Sequence, residues 1–292
     1  MTLPTSGAGR APGADAARAL AILCGGGDFP LRVAEAAARS GRIPLMVGVV
    51  GSADRRIEAF PHFWVHMGQL GKLFAGLKQR TIADVVIIGA MTRPEISDLR
   101  LDWGALKRAP SLAPLFRGGD NGLLVGIARM FENEGLRVIG VHEIAPELLA
   151  PEGVWGGRSI SAQARADAEK GASLIGALSP FDVGQGVVIA NGRIVAIEAA
   201  EGTDSMLNRV AEMRASRRLR FRGKVGILVK APKANQDLRL DMPAVGVGTI
   251  EGAKRAELEG IVLAAGRVLI ADRDEMLAAA ERAGLFVMGA AL

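Results

Sequence analysis

Along the first half of the chain, short runs of branched apolar residues alternate with stretches in which apolar positions recur every three or four residues. The runs at 19–24, 44–50, 84–91 and 137–142 have the length and near-continuous hydrophobicity of strands buried on both faces. Between them, 31–40, 69–80 and 121–134 carry helical spacing, and Pro30 stands at the entrance of the first. A strand, turn, helix rhythm repeated in this way predicts a parallel sheet covered by helices.

The rhythm changes after residue 145. Residues 145–158 hold two prolines and three glycines, a composition that predicts no regular structure and a domain boundary. Beyond it the spacing predicts a helix over 161–178, then a hairpin over 186–198 with Asn191-Gly192 at its turn. Further strands are expected at 225–229, 244–247, 260–263 and 268–271, and helices at 205–215, 252–258 and 273–283. The expected fold is α/β: a Rossmann-like parallel-sheet domain over 17–148, a linker over 149–158, and a mixed α/β domain over 159–292. Residues 1–16 mix Pro, Gly, Ser and Ala without apolar period and read as a flexible tail.

Composition narrows the partners. At 292 residues and 49% hydrophobic content, two cored domains are the natural expectation. Lys and Arg total 36 against 31 acids, an excess of +5 that suits an anionic substrate or membrane surface. Only 4% of residues are aromatic, Tyr is absent, and no basic run is interleaved with stacking residues, which argues against nucleic acid. The single Cys24 excludes an intrachain disulfide and fits a reducing, cytoplasmic setting; it reads as a small buried residue at a strand end. No apolar run approaches the roughly 18 residues of a membrane span, so any membrane contact should be peripheral and released by salt.

The glycine turn 25–27 after the first strand stands where a nucleotide phosphate is expected, with Gly26, Gly27 and Asp28 as the contacts. It reads equally well as a tight strand-to-helix turn. It lacks the third glycine of a dinucleotide fingerprint, and Val49-Val50-Gly51 supplies no acid, so a nicotinamide oxidoreductase is disfavoured. Lys72 and the pair Thr92-Arg93 lie at the same predicted edge, as phosphate-neutralising groups or as solvated loop residues. His62, His66 and His142 lack the neighbours of a zinc site. In the second half, Glu201, Gly202, Thr203 and Asp204 open a helix after a strand, while 230–243 carries Lys230, Lys233, Asp237, Arg239 and Asp241. Acids beside cations suit a hard metal and a pyrophosphate, with carboxylates on Mg²⁺ and lysines offsetting phosphate charge.

Read together, these segments resemble the LpxI family of UDP-2,3-diacylglucosamine pyrophosphatases. The likeness rests on Gly25-Gly26-Gly27 with Pro30, residues 68–72, Arg93-Pro94, Gly119-Asp120, the run Asp182-Val183-Gly184-Gln185-Gly186, residues 198–207, residues 230–243, Ala265-Gly266 and Asp272. Two departures are the N-terminal tail and Asn121, which follows Asp120 where a second acid is expected. The resemblance implies a Mg²⁺-dependent hydrolase that makes UMP and 2,3-diacylglucosamine 1-phosphate by water attack on the sugar-side phosphorus, with substrate between the two domains. It makes 159–292 the catalytic domain. Within it, Asp241 is expected to be catalytic and, with Asp237, to hold metal; Gln185 joins Glu201, Gly202, Thr203, Asp204, Lys230 and Lys233 on the substrate. The implied partners are the UDP-lipid and a weak peripheral contact with the cytoplasmic face of the inner membrane; a homodimer is compatible with it. The rival expectation is a UDP-sugar-binding regulatory protein without hydrolysis.

Overall fold

The computed structural model describes residues 18–91, 99–112, 120–156, 159–234 and 236–292. Thr92 and Arg93, the linker residues Gly157 and Arg158, and the expected tail lie outside the described residues. The chain divides into two compact units, Met1–Ala109 with Met130–Ile139, and Pro110–Arg129 with Gly140–Leu292. The fold is α/β, with an N-terminal Rossmann-like unit and a C-terminal mixed α/β unit.

The first half runs β1 (Leu20–Cys24), α1 (Phe29–Arg39), β2 (Leu45–Val49), β3 (His62–Val65), α2 (Leu70–Gln79), β4 (Asp84–Ile88), α3 (Trp103–Leu112), α4 (Asp120–Asn133) and β5 (Arg137–Val138). All five strands are parallel, in the order β3-β2-β1-β4-β5. Every residue of β1 and β2 is buried, which is why both read as unbroken apolar runs. The fifth strand, β3, was not expected. Its sequence His-Phe-Trp-Val has three half-buried positions at a sheet edge and so lacks that run. The strand expected over 137–142 stops after two residues. The Glu143 carboxylate accepts the Gly140 N–H at 2.9 Å, and the chain turns there into the short helix α5 (Val141–Ile144).

At the amino end of β4 a carboxylate is fully buried among arginines. Asp84, 0% exposed, accepts from Arg18 Nε at 3.0 Å, Arg42 Nη2 at 2.9 Å, and Arg137 Nε and Nη2 at 3.0 and 3.1 Å. Burial alone would raise its pKa, but the Arg137 and Arg42 hydrogen bonds and the surrounding positive charge hold it below the usual value.

The second unit continues through β6 (Gly153–Val154), α6 (Ala162–Leu178), β7 (Gly186–Ala190), β8 (Arg193–Ile197), α7 (Gly202–Ala215), β9 (Ile227–Lys230), β10 (Ala244–Val245), α8 (Val247–Arg255), β11 (Gly260–Ala264), β12 (Leu269–Ile270), α9 (Arg273–Ala283) and β13 (Phe286–Ala290). Its main sheet has the order β6-β13-β11-β9-β7-β8; β13, β11 and β9 are parallel, and the other pairings are antiparallel. A separate parallel pair joins β10 to β12. The expected hairpin forms, with Asn191 and Gly192 at φ of 51° and 75°. Buried Asp167 on α6 anchors that turn by accepting the Gly192 N–H at 2.8 Å.

Two expectations fail here. Within the Pro and Gly segment, Gly153–Val154 pairs with β13. A side chain at Gly289 would sit 1.8 Å from the Pro151 carbonyl, so this edge is built on a backbone approach that composition does not reveal. The helix expected over 252–258 starts at Val247, because Gly246 takes an extended conformation and ends β10 after two residues.

Candidate active site

In the N-terminal unit the carboxyl ends of β1 and β4 meet at the centre of the sheet, where ligands of open α/β sheets bind. The glycine turn is fitted into β4 there. Gly25 N–H donates to Ile88 O and Gly26 N–H to Ala90 O, and a side chain at Gly25 would lie 2.6 Å from the Gly89 carbonyl. Gly27, at φ of 87°, faces open space. It leads into α1, whose N-cap, Asp28, makes no side-chain cap. The Asp28 carboxylate is paired with Arg56 Nη2 at 2.5 Å. The turn thus serves packing at Gly25 and Gly26, and leaves Gly27 and the start of α1 open.

Lys72 stands in the first turn of α2, which leaves the carboxyl end of β3, two strands from β1 on the same edge of the sheet. Its side chain is exposed, and the N–H groups of Gly71 and Lys72 both donate to Asp102 at 3.0 Å, filling the α2 N-terminus. Thr92 and Arg93 lie outside the described residues, as do the side chains of Asp120 and Asn121.

The C-terminal unit brings more of the expected residues together. Register sets the end of β9, the start of β7 and the end of β8 side by side, so Lys230, Gln185 and Glu198 share one edge of the sheet. Lys230 is only 5% exposed; its Nζ donates to Thr203 Oγ1 and lies 3.6 Å from Glu198 Oε2, an oxygen that is buried without a hydrogen bond. The loop after β9 returns over this edge. Lys233 Nζ pairs with Asp182 at 2.5 Å, and Asp241 Oδ2 accepts from Gln185 Nε2 at 2.9 Å and from Gln236 Nε2. Asp237 is engaged by Arg239, which reaches both of its oxygens. Burial raises the pKa of Asp241; the charges of Lys233 and Lys230 and the two amides only partly offset this.

Beside this cluster lies a polar cleft of about 550 Å³ lined by Glu201, Gly202, Thr203, Asp204 and Ser205 from α7, and by residues of β10 and α8. Both helices point their N-termini at it; α7 carries no side-chain N-cap hydrogen bond, while at α8 the Gly246 N–H donates to Thr249 Oγ1 at 3.4 Å. First-turn amides of α7, which has no side-chain cap, favour anions, while Asp204 and Glu201, whose Oε1 already accepts from Arg209 at 2.6 Å, supply acceptors for hydroxyl groups. Sequence reasoning missed Gln236 and Asp182 as site residues. Both lie in segments singled out for the likeness, but a glutamine that orients a carboxylate has no sequence signature of its own.

Among the described residues no group of three His, Cys, Asp or Glu side chains gathers as a metal site. His62 bonds the Phe60 carbonyl and His66 the Arg100 guanidinium. Mg²⁺ nevertheless binds through as few as one or two carboxylates plus substrate phosphates. Asp241 fits that mode: both donors sit on Oδ2, and Oδ1 is left without one among the described residues.

A glycine-turn unit in Rossmann order, joined to a mixed-sheet unit with a buried acid among cations and open helix N-termini, defines an α/β protein suited to a phosphorylated ligand. Residues 19–148 match the family model described as LpxI N-terminal domain, and 151–288 that described as LpxI C-terminal domain. A curated relative from Caulobacter vibrioides, UDP-2,3-diacylglucosamine pyrophosphatase LpxI, is 39% identical over 272 residues, covering 93% of this chain and 97% of the relative. The chain belongs to the LpxI family, as its residue pattern implied. Among the described residues no helix is long and apolar enough to cross a membrane.

Proposed function

We propose that this protein hydrolyses the pyrophosphate of UDP-2,3-diacylglucosamine to UMP and 2,3-diacylglucosamine 1-phosphate, with the chemistry at the Asp241 edge of the C-terminal sheet. The carrying observation is Asp241 itself, a half-buried carboxylate that feels the charges of Lys233 and Lys230, with one oxygen held by two amides and the other left without a donor among the described residues. The family membership and the name of the Caulobacter relative support the substrate.

In this reading, water adds to the sugar-side phosphorus, the bond from that phosphorus to the bridging oxygen breaks, and UMP leaves. Asp241 Oδ1 orients the water or accepts its proton. Lys230 and Lys233 offset the negative charge that builds on the phosphoryl oxygens, and the first-turn amides of α7 and α8 bind phosphate. Glu201 and Asp204 accept from sugar hydroxyls; in the N-terminal unit, taken by itself, Gly27 with the start of α1 offers a turn suited to a uridine nucleotide. Mg²⁺, held by Asp241 Oδ1 and the diphosphate, would supply Lewis-acid stabilisation. Asp237 then acts by placing Arg239. With net charge +5, membrane contact in this reading is peripheral and on the cytoplasmic face.

Incubating purified protein with UDP-diacylglucosamine and Mg²⁺ should release UMP and sugar 1-phosphate in equal amounts. Saturable binding without UMP would favour a UDP-sugar sensor instead.

A further inference from the structure

Among the described residues, Asp241 takes its side-chain hydrogen bonds from neutral groups alone. Its Oδ2 takes two hydrogen bonds, both from neutral carboxamides, at 2.9 Å from Gln185 and from Gln236 on the other side. We propose that Gln185 and Gln236 form a two-amide clamp that fixes the rotation of the Asp241 carboxylate and commits Oδ1 alone to the reacting groups. The inference rests on the proposed catalytic role of Asp241 and adds two positioning residues to it.

The clamp is built from two directions. Gln236 accepts the Lys233 N–H on Oε1 at 2.8 Å, so its carbonyl end is already committed and its NH₂ must point to Asp241. Gln185 stands at the start of β7, and its main-chain carbonyl accepts the Ala231 N–H at 3.1 Å. One amide is therefore tied to the sheet and the other to the returning loop. Together they stop the carboxylate from turning about its terminal bond, whose torsion is otherwise broad and two-fold. The chemistry of the donors matters as well. A guanidinium on Oδ2 would cancel the charge that orients water or binds a cation, whereas an amide holds the ionised carboxylate and leaves its charge intact. Losing one amide frees the rotor, and a reacting group misplaced by roughly 1 Å can cost up to about a hundredfold in rate.

The test is a mutant cycle on the full-length protein, using Gln185→Met and Gln236→Met, which keep side-chain length and remove the donor. Each should lower kcat about tenfold, with KM and the calorimetric Kd for UDP-diacylglucosamine within twofold of wild type and the melting temperature unchanged. In an Asp241→Asn background the same changes should have no further effect, since they act through that carboxylate. If Gln185→Met and Gln236→Met instead raise KM and Kd at constant kcat, the amides touch substrate and the clamp is wrong while Asp241 stands. Full turnover in Asp241→Asn alone would remove the catalytic reading, and the clamp with it. Should either Met variant melt early, Gln185→Leu and Gln236→Leu at reduced temperature replace it. A kcat unaltered in folded Leu variants also overturns the proposal.

Discussion

Each unit of this protein holds one aspartate by several side-chain hydrogen bonds, Asp84 fully buried and Asp241 half-buried, and the two are held in opposite ways. Asp84 sits at the amino edge of its sheet under three arginines, with its pKa pushed down. Asp241 sits at the edge formed by the carboxyl end of β9, held by two amides, with its pKa pushed up by burial. Opposite charges at hydrogen-bond distance satisfy a carboxylate and make it a structural anchor. Neutral donors on one oxygen leave a costly charge with a free acceptor, which is the state a reacting group needs. The contrast teaches that burial alone does not mark a functional acid. Neither do neutral donors alone: fully buried Asp167, among the described residues, takes only such donors, from Gln163 and Gly192, and anchors a turn, whereas Asp241 combines them with a half-buried place beside the cleft.

That contrast can be broken most forcefully at Asp84. Asp84→Ala leaves three arginines facing one another and should cost about 3–5 kcal/mol, lowering the melting temperature by roughly 10 °C. UMP release per folded molecule should stay at the wild-type rate, because the cluster lies at the edge opposite the glycine turn; a loss of turnover in folded protein would contradict the structural assignment. The same carboxylate sets an acid limit. Since its folded pKa lies below the ordinary 3.8, its contribution is present above that value and is lost as pH falls through the folded one. Asp241 has the opposite sign, so acid relieves its cost. Asp84→Ala should therefore flatten the fall of melting temperature below about pH 4, measured by calorimetry across pH.

A smaller effect is expected at the glycine turn. Gly27 has φ of 87° and open space where a side chain would go, so Gly27→Val costs about 1–2 kcal/mol of local strain and projects into the region assigned to uridine. UMP affinity should fall about tenfold, with the C-terminal unit's melting unchanged. Equal affinity in the folded variant would reduce the turn to a packing device.

Much of the fold could be read from apolar period, because strands such as β1, β2, β7 and β11 are buried on both faces and must be apolar throughout. Edge strands escaped for the converse reason. In β3 half-buried aromatics replace the run, and β6 is a glycine-bearing pair recruited by β13. In the site, Lys230, Lys233 and Asp241 were legible as charge, whereas Thr203, which opens a helix in the sequence pattern, makes no side-chain cap and instead accepts from Lys230. The pairing of Asp241 with Gln236 was not, since it depends on the loop folding back, and neither was the capture of Asp237 by Arg239. Lys72 follows β3, a strand that the apolar pattern did not show, so its place in the strand order was not legible.

The central claim, that Asp241 serves chemistry and not folding, is tested most directly by Asp241→Asn, assayed for UMP release at saturating Mg²⁺ alongside calorimetric binding and thermal melting. The account predicts a turnover loss of at least about a hundredfold, since a Lewis-acid or water-orienting contribution of several kcal/mol is removed. Substrate Kd should change little, and the melting temperature should hold or rise because a costly buried charge is gone. Near-normal turnover, or a melting temperature lowered as far as that of Asp84→Ala, would contradict it.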